Sequence, residues 1–372
     1  MNLNALNSLN AEKGAIFIKK CAQTITEPLY IILNLSVNTF GIYPDVWKIA
    51  KIIPIHKSGS RLSIENYRPI SILNTFSKVF EKIIYKAIHN IISNSLPDEQ
   101  HGFINKRSTI TNLTVFTNYV LQSMDGGAQV DVIYTDFEKA FDRVDHTILL
   151  HKLQLLGIRG DLHRWFCSYI TNRRQAVAVG SARSDFVHIS SGVPQGSILG
   201  PLLYNAYLYD INSSIKDSNY LMFADDKKIY LKINKEGDCQ KIQADLNNLS
   251  NYYRQNRISV NTSKCVKITF TRKKNKIDFS YHINNKSVKE VDCVRDLGIW
   301  LDYKMTYNNH IDTIVDKAYK QLGVVRRVSE HFHDVDCMKV LYYTYVRSIL
   351  EYGCSVWSPS YTVHKEKIEK TS

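Results

Sequence analysis

The sequence predicts an α+β fold, and three observations lead to that prediction. The chain has 372 residues, and 44% of them are hydrophobic, enough for a sizeable core and two or three subdomains. Short β-branched runs typical of strands lie among longer amphipathic stretches of helical period. The two kinds of segment do not alternate regularly, as the βαβ units of a parallel sheet would require.

In the first hundred residues the pattern predicts a helix, a strand and a second helix. Apolar residues recur at helical spacing from Cys21 to Asn38, and Ile49–Ile55 is an extended, β-branched run followed by a basic turn over 56–61. Arg68 is biased toward an extended conformation by the proline after it. The amphipathic stretch Ser77–Ile92 then predicts a long helix.

The middle of the chain predicts two more strands. The first is Val130–Thr135, which ends at Asp136. The apolar spacing predicts a helix directly after it, with Gly157 at the C′ position. Ala176–Val179 predicts the second strand, and a Gly- and Pro-rich turn signal over 191–196 precedes a further helix.

Two adjacent carboxylates form the most distinctive segment of the chain. The apolar run Tyr220–Phe223 is followed by Ala224, Asp225 and Asp226, and a strand is expected over Ile229–Ile233. Strand, acidic turn and strand together predict a hairpin. The remaining predicted elements are a helix, a strand and a mainly helical end, over Cys239–Gln255, Cys265–Thr271 and from Tyr307 onward.

The composition favours a polyanionic partner and an intracellular location. The formal net charge of +13 suits nucleic acid or an anionic membrane surface, although a basic solvated surface would also explain it. No stretch resembles a membrane-spanning helix or a signal peptide. The seven cysteines are scattered without a CxxC pair, so neither a disulfide framework nor a zinc site is expected. We therefore expect a protein of the nucleus, the cytoplasm or both, not secreted and without a membrane partner.

Asp136 and Asp225 each follow a predicted strand, and neighbouring strands would bring the two carboxylates together. Magnesium is commonly bound by one or two carboxylates plus substrate phosphates, and two ions about 4 Å apart assist phosphoryl transfer. Spacing alone leaves open an alternative, in which Asp136 caps the next helix. Taken by itself, Phe141 is expected to pack in the core. Asp142 and Asp145 are expected to be acids near the start of a helix, where its dipole favours negative charge.

Two further segments suit nucleotide binding. Glycines around Gln195, Gly196 among them, permit close backbone approach to a ligand, and glutamine both donates and accepts hydrogen bonds. Lys57 and Arg68 flank a loop and carry charges that neutralise phosphate. Taken alone, an ordinary loop and a solvated hairpin tip are the simpler interpretations of these segments.

Together these pieces resemble the reverse transcriptase domain of a non-long-terminal-repeat retrotransposon of the jockey-like type, over about Pro28 to Pro359. One such motif is weak evidence, whereas the ordered set is highly specific. The matching segments are Lys51–Leu73, Asp98–Leu113, Tyr134–His146, Ser191–Asp210, the FADD turn at 223–226, Val260–Phe270, Cys293–Asp302 and Tyr342–Pro359.

The resemblance implies a right-hand polymerase fold. Its parts would be an N-terminal extension at 1–39, fingers at 40–125 and a palm at 126–290, which would have an antiparallel sheet and include some fingers elements. A primer-grip hairpin and a partial helical thumb would fill 291–372. An amphipathic stretch near the end of the chain suits a thumb helix with a basic face, although an ordinary surface helix has the same pattern. Its basic residues are Lys317, Lys320, Arg326 and Arg327.

The resemblance also implies the catalytic residues. Asp136, Asp225 and Asp226 would form the acidic triad. With the backbone carbonyl of Phe137, they would hold two Mg²⁺ ions, for which Mn²⁺ could substitute. Lys264 would be the general acid that protonates the leaving pyrophosphate.

Substrate-binding roles follow from the same resemblance. Lys57 and Arg68 would contact the incoming triphosphate. Phe141 falls at the steric-gate position, where an aromatic ring would clash with a ribonucleotide 2′-hydroxyl. Gln195 and Gly196 would line the nucleotide and template pocket.

The function implied is that of an RNA-directed DNA polymerase that copies RNA into DNA as part of retrotransposition. Its partners would be an RNA template, a DNA primer or target DNA, and dNTPs; the sequence does not indicate an oligomeric state. Two rivals remain open. One is a catalytically silent, nucleic-acid-binding remnant of a retrotransposon. The other is an RNA-dependent RNA polymerase, against which Phe141 argues because that enzyme must accept the 2′-hydroxyl.

The sequence departs from the family pattern in two places. Phe223 replaces the tyrosine often found there, and Lys227 with Lys228 follows the acids where a small polar residue is more usual. Two cations in this place would either compete with magnesium or point toward the nucleic acid backbone. Neither departure removes a catalytic carboxylate.

Overall fold

The computed structural model describes residues 11–331, 334–359 and 361–370, with side chains from residue 16 onward. It divides into two compact units, each assembled from separate stretches of the chain. Unit one comprises the residues up to Asp98 together with Phe137–Ser214 and Asn251–Val260, and unit two comprises the rest. Helices and strands are mixed in both, so the predicted α+β class is confirmed. The predicted bounds of fingers, palm and thumb stay a prediction.

Unit one contains one mixed sheet and a set of helices. Its helices are α1 (Ala11–Lys20), α2 (Ala22–Asn34, continued by a π-helical turn at Leu35–Thr39), α3 (Thr75–Ser93), α5 (His146–Leu155), α6 (Gly160–Ile170) and α7 (Leu199–Tyr207). Its strands are β1 (Ile49–His56), β2 (Tyr67–Ile72), β4 (Arg173–Val179), β5 (Ala182–Arg183) and β6 (Val187–Ile189). Strand β1 pairs antiparallel with β2 and parallel with β4, and β4 pairs antiparallel with both β5 and β6.

An aromatic cluster fills the core of unit one. The rings of Tyr43, Trp165 and Tyr169 are fully buried and pack edge-to-face or stacked, with centroids 5.0 to 5.4 Å apart. Glu81 is buried beside them and accepts hydrogen bonds from the backbone N–H groups of Ile198 (2.7 Å) and Leu199 (3.4 Å). This carboxylate satisfies donors at the start of α7, where a negative charge is favoured.

Unit two is built on an antiparallel sheet with one short parallel edge. Its helices are α4 (Thr109–Asp125), α8 (Glu236–Gln255, which continues into unit one), α9 (Asn308–Ser329), α10 (Val335–Tyr342), α11 (Ser348–Glu351), α12 (Cys354–Trp357) and α13 (Thr362–Glu369). Its strands are β3 (Gln129–Thr135), β7 (Asn219–Phe223), β8 (Asp226–Ile233), β9 (Val266–Phe270), β10 (His282–Ile283), β11 (Lys286–Ser287), β12 (Lys289–Glu290), β13 (Cys293–Asp296) and β14 (Ile299–Asp302).

The main sheet of unit two has the strand order β12-β9-β3-β8-β7. The central strand β3 is buried almost throughout, and β8 pairs with it from Gln129↔Ile233 to Thr135↔Lys227. Helices α4 and α9 share one apolar core with the sheet, which includes Phe116, Val132 and Ile314. The predicted hairpin at Cys293–Asp302 is present as β13 and β14.

The predicted helix directly after Asp136 is wrong in its first part. Residues 137–145 form bridges and turns, and α5 begins only at His146. Asp145 is its N-cap residue, and its carboxylate accepts a hydrogen bond from the Ile148 N–H at 3.0 Å. A good cap at Asp145 offers the helix a start that the apolar periodicity does not reveal. Asp136 therefore caps no helix, and the alternative role weighed for it fails.

None of the helices in the described ranges is long and apolar enough to cross a membrane.

Candidate functional site

The predicted acidic hairpin is present at the end of the unit-two sheet. Phe223 pairs with Asp226, which leaves Ala224 and Asp225 as the two loop residues. Two-residue hairpin loops require positive φ, and Ala224 has φ +57°. Asp225 is half-buried and Asp226 is exposed, so both carboxylates remain accessible beside a buried strand.

Asp136 lies at the same end of this sheet. It directly follows Thr135, whose partner Lys227 directly follows Asp226 on the antiparallel strand. The register therefore places Asp136, Asp225 and Asp226 at the same end of the sheet, as the sequence predicts. The Asn261 N–H donates to the backbone oxygen of Asp136 at 2.8 Å and fixes the end of β3.

Lys264 is the cation nearest to Asp136 in this region. Its ammonium lies 3.2 Å from the Asp136 carboxylate, and 61% of its side chain is exposed. An exposed lysine forms a weak, replaceable ion pair. The structure thus brings Lys264 to the acids, while its role as a general acid stays a prediction.

A divalent cation fits the chemistry of this donor set. Among the described residues, no three His, Cys, Asp or Glu side chains stand together as a ready-made metal cluster. Magnesium does not require one, because it is usually held by one or two carboxylates together with water and substrate phosphates. Asp136 and Asp225 supply hard oxygen ligands of that kind, and the only charge paired with Asp136 in the described chain is the displaceable Lys264.

The two lysines that follow the acids do not face the nucleic acid backbone, so that expectation is wrong. Both are at most 3% exposed, and burial lowers the pKa of each, that of Lys227 to about 7. Lys228 forms an ion pair with Asp296 of β13 and lies 4.4 Å above the ring of Phe116. Its charge is therefore matched by Asp296 inside unit two.

Phe141 occupies a turn of unit one and not the helix predicted for it. Its ring stacks on Tyr204 with centroids 4.6 Å apart, and its carbonyl accepts a hydrogen bond from the Val193 N–H at 2.9 Å. Phe137 is buried against Tyr253, with centroids 5.2 Å apart. Both rings thus have fixed positions, although sequence alone predicted only ordinary core packing for Phe141.

The loop around Gln195 is built against the turn that carries Phe141. The Gln195 side-chain amide donates to the Asp142 carboxylate at 2.8 Å, and burial raises the pKa of that carboxyl. Gly192 approaches Asp142 so closely that a Cβ would lie 2.7 Å from the Asp142 oxygen. Asp142, predicted as a helix-start acid, is instead the partner that orients Gln195.

A second contact joins this loop to β2. The Ser71 N–H donates to the Gln195 backbone oxygen at 2.8 Å. Gly196 has φ +107°, and a Cβ there would lie only 2.8 Å from the Ser71 oxygen. A cavity of about 340 Å³, with both polar and apolar lining, opens beside the loop within unit one. The polar side chains that line it belong to Ser71, Lys139, Asp142, Arg173, Gln175, His188, Ser190, Ser191 and Gln195.

Lys57 and Arg68 lie on the β1–β2 hairpin of unit one. The Lys57 N–H donates to Asn66 at 2.8 Å and closes the hairpin, and Arg68 pairs with Ile55 in the β ladder. Both side chains are exposed. They are available to an anion, as predicted, but their contact with a triphosphate stays a prediction.

Sequence reasoning missed Gln100 and its neighbours, although the segment Asp98–Leu113 was singled out as a motif. Gln100 is buried and hydrogen-bonded to the backbone of Ala224. A contact between residues more than a hundred positions apart leaves no trace in local spacing. The only signal was the glycine at position 102, which proves to be a point of close approach.

Comparison with known proteins agrees with this geometry. Residues 55–301 match the family described as "Reverse transcriptase (RNA-dependent DNA polymerase)". The chain is 30% identical to the probable RNA-directed DNA polymerase from transposon X-element and 28% identical to that from mobile element jockey, both of Drosophila melanogaster. These alignments cover 92% and 91% of this chain and 38% of each relative, so the chain spans about two fifths of their length.

A solved structure, apo telomerase from Candida tropicalis, shares the fold. It aligns with a TM-score of 0.51 at 11% identity, over 94% of this chain and 68% of that one. The predicted resemblance to a reverse transcriptase and the predicted right-hand polymerase fold are both confirmed.

Proposed function

Because the chain belongs to the reverse transcriptase (RNA-dependent DNA polymerase) family, we propose that it copies RNA into DNA as part of retrotransposition. The primer 3′-hydroxyl would attack the α-phosphate of a dNTP and release pyrophosphate. The observation that carries the proposal is the register of β3, β8 and β7, in which three acidic residues lie at the same end of the unit-two sheet. The partners would be an RNA template, a DNA primer or target DNA, and dNTPs.

We assign the metal ligands to Asp136, Asp225 and Asp226, with the backbone carbonyl of Phe137. Bound Mg²⁺, or Mn²⁺ in its place, would supply positive charge to the attacking and leaving oxygens. Lys264 exchanges its partner readily because its side chain is 61% exposed. It is thus free to leave Asp136 when a cation binds and to give a proton to the departing pyrophosphate.

Substrate selection is assigned to residues of unit one. Lys57 and Arg68 hold the triphosphate by charge, and Gln195 with Gly196 lines the nucleotide and template pocket. The Phe141 ring cannot move away from a 2′-hydroxyl without breaking its stacking contact with Tyr204, and this favours dNTPs over ribonucleotides. That rigidity supports DNA synthesis over the rival RNA-dependent RNA polymerase.

Primer extension on an oligonucleotide-primed RNA template, with dNTPs and Mg²⁺, tests the proposal. We expect templated DNA product from the wild-type chain and much less product with ribonucleotides. Template binding measured in parallel separates the remaining alternative. Tight binding without any extension would identify a silent nucleic-acid-binding remnant and refute the proposed activity.

A further inference from the structure

The segment Glu99–Gly102 runs along β7, the edge strand that leads into the acidic turn. Met222 donates its N–H to the Glu99 oxygen at 2.9 Å and accepts the His101 N–H at 2.8 Å. The Asn112 side chain also donates to the Met222 oxygen, at 3.0 Å. An edge strand would otherwise present unpaired backbone groups, so this segment completes the edge of the sheet next to the acids.

The Gln100 side chain reaches one step further, to the turn itself. Its oxygen accepts the Ala224 N–H at 3.0 Å and the Gly102 N–H at 2.8 Å, and its NH₂ group donates to the Ala224 oxygen at 3.3 Å. Gln100 is 2% exposed, so water does not compete for these bonds. A single side chain thus holds both backbone groups of the loop residue between Phe223 and Asp225.

The conformation that Gln100 holds is one that the chain would not adopt freely. Ala224 has φ +57°, a region that residues with a Cβ rarely occupy. Such a conformation persists only where the surroundings determine it. The approach is also too close for any residue but glycine at position 102, because a Cβ there would lie 2.2 Å from the Ala224 nitrogen.

The supporting segment is itself fixed from the other side. The Arg107 guanidinium donates to the backbone carbonyl of Gln100 at 2.7 Å, and the His101 ring lies 2.8 Å from the Thr111 hydroxyl. Thr111 belongs to the capping box that begins α4. The backbone that carries Gln100 is therefore tied, through His101, to the first turn of a helix.

We propose that Gln100 is a positioning residue for the acidic turn. By fixing the backbone of Ala224 it sets where the Asp225 carboxylate points, and so how well the acids hold a divalent cation. The proposal rests on the function proposed above. It adds a residue that touches neither substrate nor metal but determines the geometry of one that does.

Gln129 supplies a matched control. It is 1% exposed, and its side chain makes three hydrogen bonds, to Asp131 (2.8 Å) and to the Ile277 N–H and oxygen (2.9 and 2.8 Å). It begins β3, at the opposite end of the strand from Asp136. Gln129→Met and Gln100→Met thus remove similar buried bonds at the two ends of one sheet.

The experiment compares Gln100→Met, Gln100→Glu and Gln129→Met with the wild-type chain. Mn²⁺ affinity is measured by electron paramagnetic resonance, the exchange of the Ala224 amide by hydrogen–deuterium exchange, and kcat and thermal stability in parallel. For Gln100→Met we expect a loss of about 10- to 100-fold in Mn²⁺ affinity and in kcat, the range seen when a group that orients a metal ligand is removed. The Ala224 amide should exchange faster.

Gln100→Glu keeps the two acceptor bonds and should recover part of each loss. Gln129→Met should lower the melting temperature as much as Gln100→Met while leaving metal affinity and Ala224 exchange unchanged. If both Met variants change Mn²⁺ affinity and Ala224 exchange equally, Gln100 is only a structural residue and the proposal is wrong. If the wild-type chain fails to extend a primer, the proposed function fails, but a loss of Mn²⁺ affinity specific to Gln100→Met would still support the positioning role.

Discussion

Two turns of this protein carry charges for the same proposed reaction and are built in opposite ways. The acidic turn of unit two has two loop residues, buried flanking strands and a loop residue held on both backbone groups. The basic turn of the β1–β2 hairpin, between Lys57 and Asn66, carries Leu62 and Ile64 at 96% and 88% exposure. Its side-chain hydrogen bonds stay within the turn; for example, the Asn66 side-chain amide donates to the Ser60 backbone oxygen at 2.9 Å.

The difference matches what each turn would have to do. Carboxylates that hold metal ions act only at defined positions, and small misplacements reduce catalysis strongly. Cations that attract phosphate act over a longer range and tolerate a mobile side chain. Substitutions in the acidic turn should therefore abolish chemistry, while substitutions in the basic turn should weaken binding in a salt-dependent manner.

The largest effect is expected from the acids themselves. Replacing Asp136 or Asp225 by Asn should lower the rate of extension by at least about 1000-fold, because charge stabilisation by metal ions is worth several kcal/mol. Template binding and melting temperature should hardly change. Asp217→Asn, which alters an exposed acid of the same unit, serves as the control and should extend normally.

Phe141 should show the next largest effect, on selectivity. Phe141→Ala removes the ring that stacks on Tyr204, and we expect the preference for dNTPs over ribonucleotides to fall by about 10- to 100-fold, the range that pocket shape provides. Competition between the two nucleotides in primer extension measures this ratio. Unchanged selectivity would remove Phe141 from the steric-gate role.

The buried pair beside the acids should affect stability. Removing Lys228 or Asp296 alone leaves an uncompensated buried charge, and we expect each to lower the free energy of unfolding by about 3 kcal/mol. The double variant Lys228→Met with Asp296→Asn should recover most of this loss. Urea denaturation measures all three, and additive losses in the double variant would show that the two groups do not depend on each other.

The cations of the β1–β2 hairpin should give a smaller change. Lys57→Ala, at the start of the basic turn, and Arg68→Ala, in β2, should raise the KM for dNTP by roughly 3- to 10-fold at low salt. The difference from wild type should shrink as salt screens the charges. A loss of kcat that is independent of salt would mean that these side chains have a defined catalytic position.

The smallest effect is expected from pH. Burial lowers the pKa of His101 to about 4, below the value of about 6.5 in an unfolded chain, so only the unfolded state gains a proton in between. The contribution of His101 to folding stability is therefore fully present above about pH 6.5 and is lost as the pH falls toward 4. Thermal denaturation across this range should show a shallower decline for His101→Gln, and an identical slope would exclude His101 as its source.

Local patterns predicted much of this molecule. The strands β1, β3 and β7 and the helices α3 and α8 lie close to where the apolar spacing predicts them, and ordered motifs located the acids, whereas helix α4 was not predicted. The turns after Asp136 were missed because the apolar residues at 140, 141 and 144 continue a helical pattern that the Asp145 cap interrupts. The burial of Lys227 and Lys228 was missed because lysine is seldom buried without a partner, and Asp296 lies 68 residues from Lys228. Such long-range compensation cannot be inferred from spacing.

The most direct test measures single-turnover extension on an RNA template against dNTP concentration, for Asp225→Asn and Lys57→Ala side by side with wild type. We expect Asp225→Asn to bind template normally and to lose nearly all of its maximal rate. Lys57→Ala should keep the maximal rate and require more dNTP to reach it. Extension by Asp225→Asn at the wild-type rate would contradict the assignment of the chemistry to the acidic turn.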